Sequence, residues 1–328
     1  MSTRCEAEHP LVSVIIPAYN RLPLLRRTLA SVQEQTYPSW EVVVVDDGST
    51  DGTADAVESL RDPRVSVVRL PRTGHLGRVR NAGIRATTGA YVAPLDSDDV
   101  WLPGKLRAQV DALRAPGARW AYTSYELVDE DGRRLPFLAG SGDTRGGWIV
   151  RDLLTMRIGV ANSSLLVERA LLREVGAYSE DAALPLRGDL ELCLRLAYHA
   201  RAAAVPRVMV RVLEHRGRTT HRAADPHALT ASACERFAAW CPDPELRRLA
   251  RREQGRHLLK AAAMWMDRGR HADALRLLLR ALPRASPRHL AGAALRRLMR
   301  GFRSSGVAAP EGGARGASRT PGAEGGAR

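Results

Sequence analysis

The sequence predicts an α/β protein: a doubly wound, mostly parallel sheet with helices on both faces, followed by a C-terminal α-helical extension. Three observations carry that reading. Residues 41–45 read EVVVV, β-branched and apolar on both faces, the pattern of a strand covered by helices on each side. Short apolar runs alternate with amphipathic segments along the first two thirds of the chain, the spacing of βαβ units. From residue 245 onward, 19 Arg and Lys stand against 6 Asp and Glu, a net +13, whereas residues 1–244 carry 31 against 30. The basicity therefore belongs to the extension, which argues against reading the whole protein as a nucleic-acid binder.

Each element follows from local pattern. Residues 11–16 (LVSVII) form a strand that Pro17 should stop. Pro23 opens a helix in which Leu25, Leu29 and Val32 share a face. The second strand, 41–45, ends in DDGSTDGT, and a short helix covers 54–60. Residues 65–68 make a third strand, 76–86 a helix and 91–95 a fourth strand. A helix begins at Pro103, with Leu106, Val110 and Leu113 on one face. Strands follow at 120–128, 162–167 and 208–213, with helices at 168–175 and from Gly188. The glycine-rich stretch 136–147 reads as a loop, and everything from about Pro226 as helix. Residues 304–328 are Gly, Ala and Arg without periodicity, a disordered composition.

The resulting division is 1–9 as a tail, 10–225 as the main domain, 226–303 as a basic helical extension and 304–328 as a second tail. A chain of 328 residues can bury a full core. No run approaches the roughly 18 apolar residues that a membrane-spanning helix needs. The N-terminus has no apolar signal core, and the cysteines (Cys5, Cys193, Cys234, Cys241) are few and irregularly spaced. Free thiols in a reducing cytoplasm is the expectation.

Chemistry concentrates at residues 89–99 (GAYVAPLDSDD). An apolar strand ends there in Asp96, Asp98 and Asp99, at the strand edge where open α/β sheets bind ligands. Carboxylates so close repel one another unless a cation intervenes. Hard oxygen ligands suit Mg²⁺ or Mn²⁺, with diphosphate oxygens completing the shell. Asp46 and Asp47 end the second strand at the same edge and can accept from a base N–H or ribose hydroxyls. There is no GxGxxG and no P-loop lysine motif, so phosphate charge would be met by metal and Arg.

Three stretches, VSVIIPAYNR, VVVVDDGSTDGT and RVRNAGIRATTGAYVAPLDSDD, closely resemble glycosyltransferase family 2 in order and spacing, over roughly residues 10–215. The resemblance implies a GT-A fold, a nucleotide-diphosphate sugar donor and inversion at the anomeric centre. It implies that Pro17, Ala18 and Tyr19 line the nucleotide pocket, that Asp47 faces the base and that Arg80 and Asn81 sit beside the donor. Asp96 would lie near ribose or metal, and Asp98 would be the metal ligand. In RGDLELCLR, Asp189 matches the family's catalytic base and Glu191 its second acid, while Gly188 and Leu190 replace the usual Glu and aromatic residue. His215 falls where relatives carry a group reaching the diphosphate or metal. Residues 158–164 (IGVANSS) match a stretch on the acceptor side. Gln-x-x-Arg-Trp, the signature of the family's processive membrane polymerases, is absent, so the expectation is one sugar transferred per encounter.

Other readings use the same acids. A sugar nucleotidyltransferase would place a Gly-rich basic loop where this chain has PAYNR. A nucleotide-sugar-binding protein without efficient catalysis would fit the altered motif around Asp189. In the extension, residues 257–283 resemble one tetratricopeptide-like hairpin, too few repeats for a solenoid. Leu275, Leu278, Leu279 and Leu282 form a stripe beside Arg276, Arg280 and Arg284, the pattern of a helix that lies on an anionic membrane surface. The expected partners are thus the donor and a glycan or lipid-linked acceptor; the stripe either lies on a membrane surface or packs on the main domain beneath a solvated basic face.

Overall fold

The computed structural model describes residues 9–136, 144–181, 188–215 and 225–284. Residues 1–8, part of the loop read at 136–147 and the tail 304–328 lie outside the described residues. The strands form one sheet of eight, in the order β3-β2-β1-β4-β7-β6-β8-β5. They are β1 (Val12–Ala18), β2 (Trp40–Asp47), β3 (Val65–Leu70), β4 (Tyr91–Pro94), β5 (Val100–Trp101), β6 (Ala118–Val128), β7 (Leu165–Glu168) and β8 (Arg201–Leu213). Four neighbouring pairs are parallel, β3-β2, β2-β1, β1-β4 and β6-β8. The other three, β4-β7, β7-β6 and β8-β5, are antiparallel, so the doubly wound half continues into a mixed half.

In the first half, α1 (Leu22–Gln33), α2 (Thr53–Glu58) and α3 (Leu76–Arg85) connect successive strands. The two apolar faces of the β-branched strands feed two cores. Ile15, Val43 and Val45 pack with Val79 of α3, while Val14, Val42 and Val44 pack with Leu25 and Leu29 of α1. Period-2 alternation of equally apolar residues is what lets one strand serve both layers.

Pro17 does not stop β1, which runs to Ala18. β4 ends opposite Ile15, so Pro17 pairs only with β2 and its missing N–H leaves no ladder bond unmade. The last strand is also longer than its pattern suggests. It begins at Arg201, and a register shift opposite Thr123 and Ser124 absorbs Pro206 as a bulge. Residues 162–164 form a 3₁₀ turn, not strand, ahead of β7.

α4 (Lys105–Ala112), α5 (Val150–Leu154), α6 (Arg169–Val175) and α7 (Gly188–His199) complete the sheet's cover. The extension consists of α8 (Pro226–Trp240), α9 (Pro244–Asp267) and α10 (His271–Ala281), with Asp225 and Asp243 capping the first two by accepting backbone N–H bonds. Cys234, Phe237 and Ala238 of α8 share one core with Leu192 and Leu196 of α7. Rings of Tyr198, Phe237 and Trp240 meet edge-on across that seam. The three helices therefore belong to the same compact unit as the sheet. Leu275, Leu279 and Leu282 remain exposed on α10.

Candidate active site

The carboxyl ends of β1, β2 and β4 gather at one edge, and the residues singled out in the sequence sort there into three clusters. The first is at the end of β1 and β2. Pro17 and Ala18 are buried in the strand, Ala18 opposite Asp46. Tyr19 emerges beyond it, 37% exposed. Asn20 takes a left-handed φ of 50°, which a short amide side chain tolerates. Its amide oxygen accepts the Thr50 N–H at 2.8 Å, and its own N–H donates to Ser49 Oγ at 2.9 Å. The two strand ends are so stitched into one surface.

Strand alternation puts Asp47 on the same face as Val43 and Val45, beneath the loop before α3. Its Oδ1 accepts Thr73 N–H and Thr73 Oγ–H, both at 2.7 Å. Its Oδ2 accepts Gly74 N–H at 3.0 Å and the Arg72 guanidinium. The same guanidinium lies 3.7 Å over the centre of the Tyr19 ring. Asp46 points to the other face, where one oxygen accepts Ser49 N–H at 3.0 Å and Oδ1 is buried without a hydrogen-bond partner among the described residues.

The second cluster surrounds Asp96. α3 carries Arg80 to it, and Arg80 Nη2 donates to Asp96 Oδ1 at 2.7 Å. Asn162 Nδ2 donates to the same oxygen at 3.0 Å, and Asn162 Oδ1 accepts the Tyr178 hydroxyl at 2.8 Å. The guanidinium carbon of Arg80 stands 5.1 Å from the centre of the Tyr178 ring, which closes the circuit. Burial opposes the Arg80 charge, yet Asp96, and to a lesser degree Asp189, hold that charge well above its ordinary range. Burial likewise pushes the Tyr178 phenol up, so the hydroxyl stays a donor. Arg80 Nε is buried with no hydrogen-bond partner among the described residues.

Asn81 is turned away from this circuit. Its amide donates to Tyr178 O at 2.8 Å and Glu180 Oε1 at 2.9 Å and accepts Tyr178 N–H at 3.1 Å, clamping the segment that holds the Tyr178 ring. Asp189 sits in the first turn of α7, close enough for its charge to act on Arg80, Tyr178 and Cys193. Glu191, two residues on, forms a two-pronged ion pair with Arg195 at 2.6 and 2.8 Å and is buried.

The third cluster depends on β5. The acids lead directly into Val100–Trp101, which pair antiparallel with Val210 and Arg211 of β8. That pairing brings the end of β8 back over the acids. His215 Nε2 lies 3.0 Å from Asp98 Oδ2. Asp99 is buried, accepting Ser163 Oγ–H at 2.5 Å and Leu213 N–H at 3.2 Å. It ties the end of β8 to the 3₁₀ turn.

Asn162, Ser163 and Tyr178 were not singled out by role in the sequence. The match of residues 158–164 to an acceptor-side stretch was the available signal for the first two. Tyr178 had none, because only folding places its hydroxyl on Asn162. Among the described residues no group of three His, Cys, Asp or Glu is arranged to hold a metal ion. No helix there is long and apolar enough to cross a membrane.

Residues 13–149 match the family model of Glycosyl transferase family 2. The chain is 40% identical over 128 residues to TuaG of Bacillus subtilis, named for a glycosyltransferase role in teichuronic acid biosynthesis, covering 38% of this chain and 51% of TuaG. It is 40% identical over 126 residues to the succinoglycan biosynthesis protein ExoO of Rhizobium meliloti, covering 38% of this chain and 36% of ExoO. It is 29% identical over 162 residues to WfgD of Escherichia coli, a UDP-Glc:alpha-D-GlcNAc-diphosphoundecaprenol beta-1,3-glucosyltransferase, covering 49% of this chain and 62% of WfgD. The chain thus spans between 36% and 62% of the length of these relatives. In fold it is similar to S. aureus TarS in complex with UDP-GlcNAc, with a TM-score of 0.59 at 17% identity over 84% of this chain and 93% of that one. It is also similar to the mannosyltransferase PcManGT of Pyrobaculum calidifontis in complex with GDP-Man and Mn²⁺, with a TM-score of 0.57 at 21% identity over 90% and 83%. Sheet order and these likenesses agree on a GT-A fold, within which residues 13–149 match the glycosyltransferase family 2 model.

Proposed function

We propose that the protein transfers a sugar from a nucleotide-diphosphate sugar to an acceptor hydroxyl in one inverting displacement. The observation that carries this is the gathering of Asp47 at the end of β2, Asp96 and Asp98 after β4, and Asp189 in the first turn of α7, at one edge of the sheet. The nucleotide lies across the ends of β1 and β2, its base against Tyr19 and Asp47. Asp96 and Arg80 hold the ribose and the donor sugar between base and diphosphate.

Asp98 and His215 fit a divalent cation as two of its ligands. They offer one carboxylate oxygen and one imidazole nitrogen from a part-buried pair, a donor set that Mn²⁺ or Mg²⁺ accepts when phosphate oxygens fill the remaining positions. Such a cation, when bound, would offset the charge of the departing diphosphate. That PcManGT forms a complex with Mn²⁺ supports the same reading. Asp96 is less available, since Arg80 and Asn162 already share its Oδ1.

Asp189 accepts the proton of the acceptor hydroxyl as that oxygen attacks. The new bond joins the acceptor oxygen to the anomeric carbon, the bond from that carbon to the diphosphate oxygen breaks, and the nucleoside diphosphate leaves with the electron pair. A carboxylate positioned this way contributes about 10²–10⁴-fold. Its place beside Arg80 holds the base near the sugar end of the donor.

The acceptor is a glycan or a lipid-linked saccharide, as the names of the relatives suggest, and the protein works at the cytoplasmic face. The exposed Leu275, Leu279 and Leu282 with the neighbouring arginines would hold it to an anionic bilayer. Co-sedimentation with phosphatidylglycerol vesicles tests this, and Leu279→Asp should abolish it.

The transfer itself is tested with a panel of UDP- and GDP-sugars in Mn²⁺. Asp189→Asn should bind donor as the parent protein does and turn over about 10²–10⁴-fold more slowly. Full turnover by Asp189→Asn would remove it from the role of base.

A further inference from the structure

We propose that Arg72 is a built-in occupant of the nucleobase slot, and that its side chain must leave Tyr19 and Asp47 before a nucleotide can bind. This rests on the reading of the crevice as a nucleotide site.

A nucleobase and a guanidinium ask the same things of a protein. Both are flat, both stack on an aromatic face, and both present N–H groups in their plane to a carboxylate. In the structure Arg72 makes both contacts at once. At 3.7 Å over the Tyr19 ring the guanidinium is in van der Waals contact with it, so no base fits between. Asp47 is equally committed. A carboxylate has about four lone-pair positions. Thr73 N–H, Thr73 Oγ–H, Gly74 N–H and Arg72 fill them. Three of these donors come from the short loop itself. Departure of Arg72 alone opens one position on Oδ2, which is what a single ring N–H of uracil or guanine requires.

The geometry also says which part moves. The loop backbone is fixed: Asp47 holds Thr73 and Gly74, and a Cβ at Gly48 would meet Arg72 N at 2.9 Å, so strand end and loop are in direct contact. The side chain is not fixed. It is 45% exposed, whereas the carboxylate it covers is 6% exposed. Rotation of Arg72 into solvent therefore uncovers the slot without unpacking anything. The residue sets donor affinity by competition, lowering it to the extent that its own stack and ion pair must be broken.

Calorimetric titration of the full chain with UDP and with GDP, in Mn²⁺, tests this on the parent protein, Arg72→Ala and Arg72→Met. Both variants should bind the accepted nucleotide more tightly, by about three- to thirtyfold, the scale of an exposed stack plus a part-exposed ion pair. The KM for the nucleotide-sugar should fall by a similar factor with kcat unchanged, a split that a merely structural residue would not produce. Unchanged or weakened binding in both variants, with the parent protein still binding, overturns the proposal and leaves the nucleotide site standing. Absence of binding in all three proteins overturns both.

Discussion

His215 Nε2 meets Asp98 Oδ2 at 3.0 Å across 117 residues of chain. The contact exists because β5, only Val100 and Trp101, pairs with β8 and returns the strand end over the acids. If the pair ligates the cation, His215→Ala and Asp98→Asn should each weaken Mn²⁺ binding in the presence of nucleotide. Transfer should fall by about 10²-fold or more, the scale of removing one electrostatic contact to the leaving group. Manganese titration followed by electron paramagnetic resonance measures the first effect, and initial rates the second. Parent-like manganese affinity in both variants would sink the assignment.

Asp99 should behave differently from its neighbour. Its carboxylate is buried and holds Ser163 and the backbone of Leu213, two residues before His215. Asp99→Ala leaves those donors unsatisfied, at a cost of about 1–3 kcal/mol for such a group. Thermal denaturation should show a lower midpoint for Asp99→Ala and a near-parental one for Asp98→Ala, which is less enclosed.

Gly83 sets how closely α3 lies on the sheet, and hence where Arg80 reaches. A Cβ there would meet Ile15 Cγ2 at 2.5 Å and Val45 Cγ2 at 2.9 Å. Alanine gains about 0.5–1 kcal/mol in a helix over glycine. Overpacking against two core side chains costs about 1–3 kcal/mol. The second effect wins, so Gly83→Ala should be destabilised in urea and should bind donor less well as Arg80 is lifted from Asp96.

The described cysteines should be unreactive in the native protein. Burial pushes the Cys193 thiol up, with the nearby Asp189 charge adding to it, and pushes Cys234 up to about 12. Burial also raises Cys241. A raised folded pKa contributes stability that is complete below the unfolded thiol value of about 8.5 and is lost as pH rises above it. At pH 8, maleimide labelling mapped by mass spectrometry should therefore find these three sites only after denaturation. Stability should decline progressively above about pH 9. Rapid native labelling of Cys193 would contradict its burial.

Much of the parallel half of the sheet was legible because it is local. The β-branched runs define β1 to β4, and the acids follow their strands directly in sequence, so Asp47, Asp96 and Asp98 could be named from pattern and resemblance. Asp189 could be named only by resemblance, since a helix-opening Asp is otherwise a common cap. Pro17 misled the strand boundary because its cost depends on whether a neighbouring strand extends alongside it. β5 was invisible, two residues being too few to show a period.

The sequence by itself determined the alternation of strands and helices, the edge at which carboxylates gather and the confinement of positive charge to the extension. Tertiary structure decided how those carboxylates divide their partners. Asp96 goes to Arg80 and Asn162, Asp98 to His215, Asp99 to the end of β8, and Asp47 to the Arg72 loop. The physical reason is that hydrogen bonds and ion pairs reach only about 3 Å. Their donors lie 16 to 117 residues away along the chain. Which donor arrives is fixed by strand pairing and helix packing, over distances that no sequence window spans.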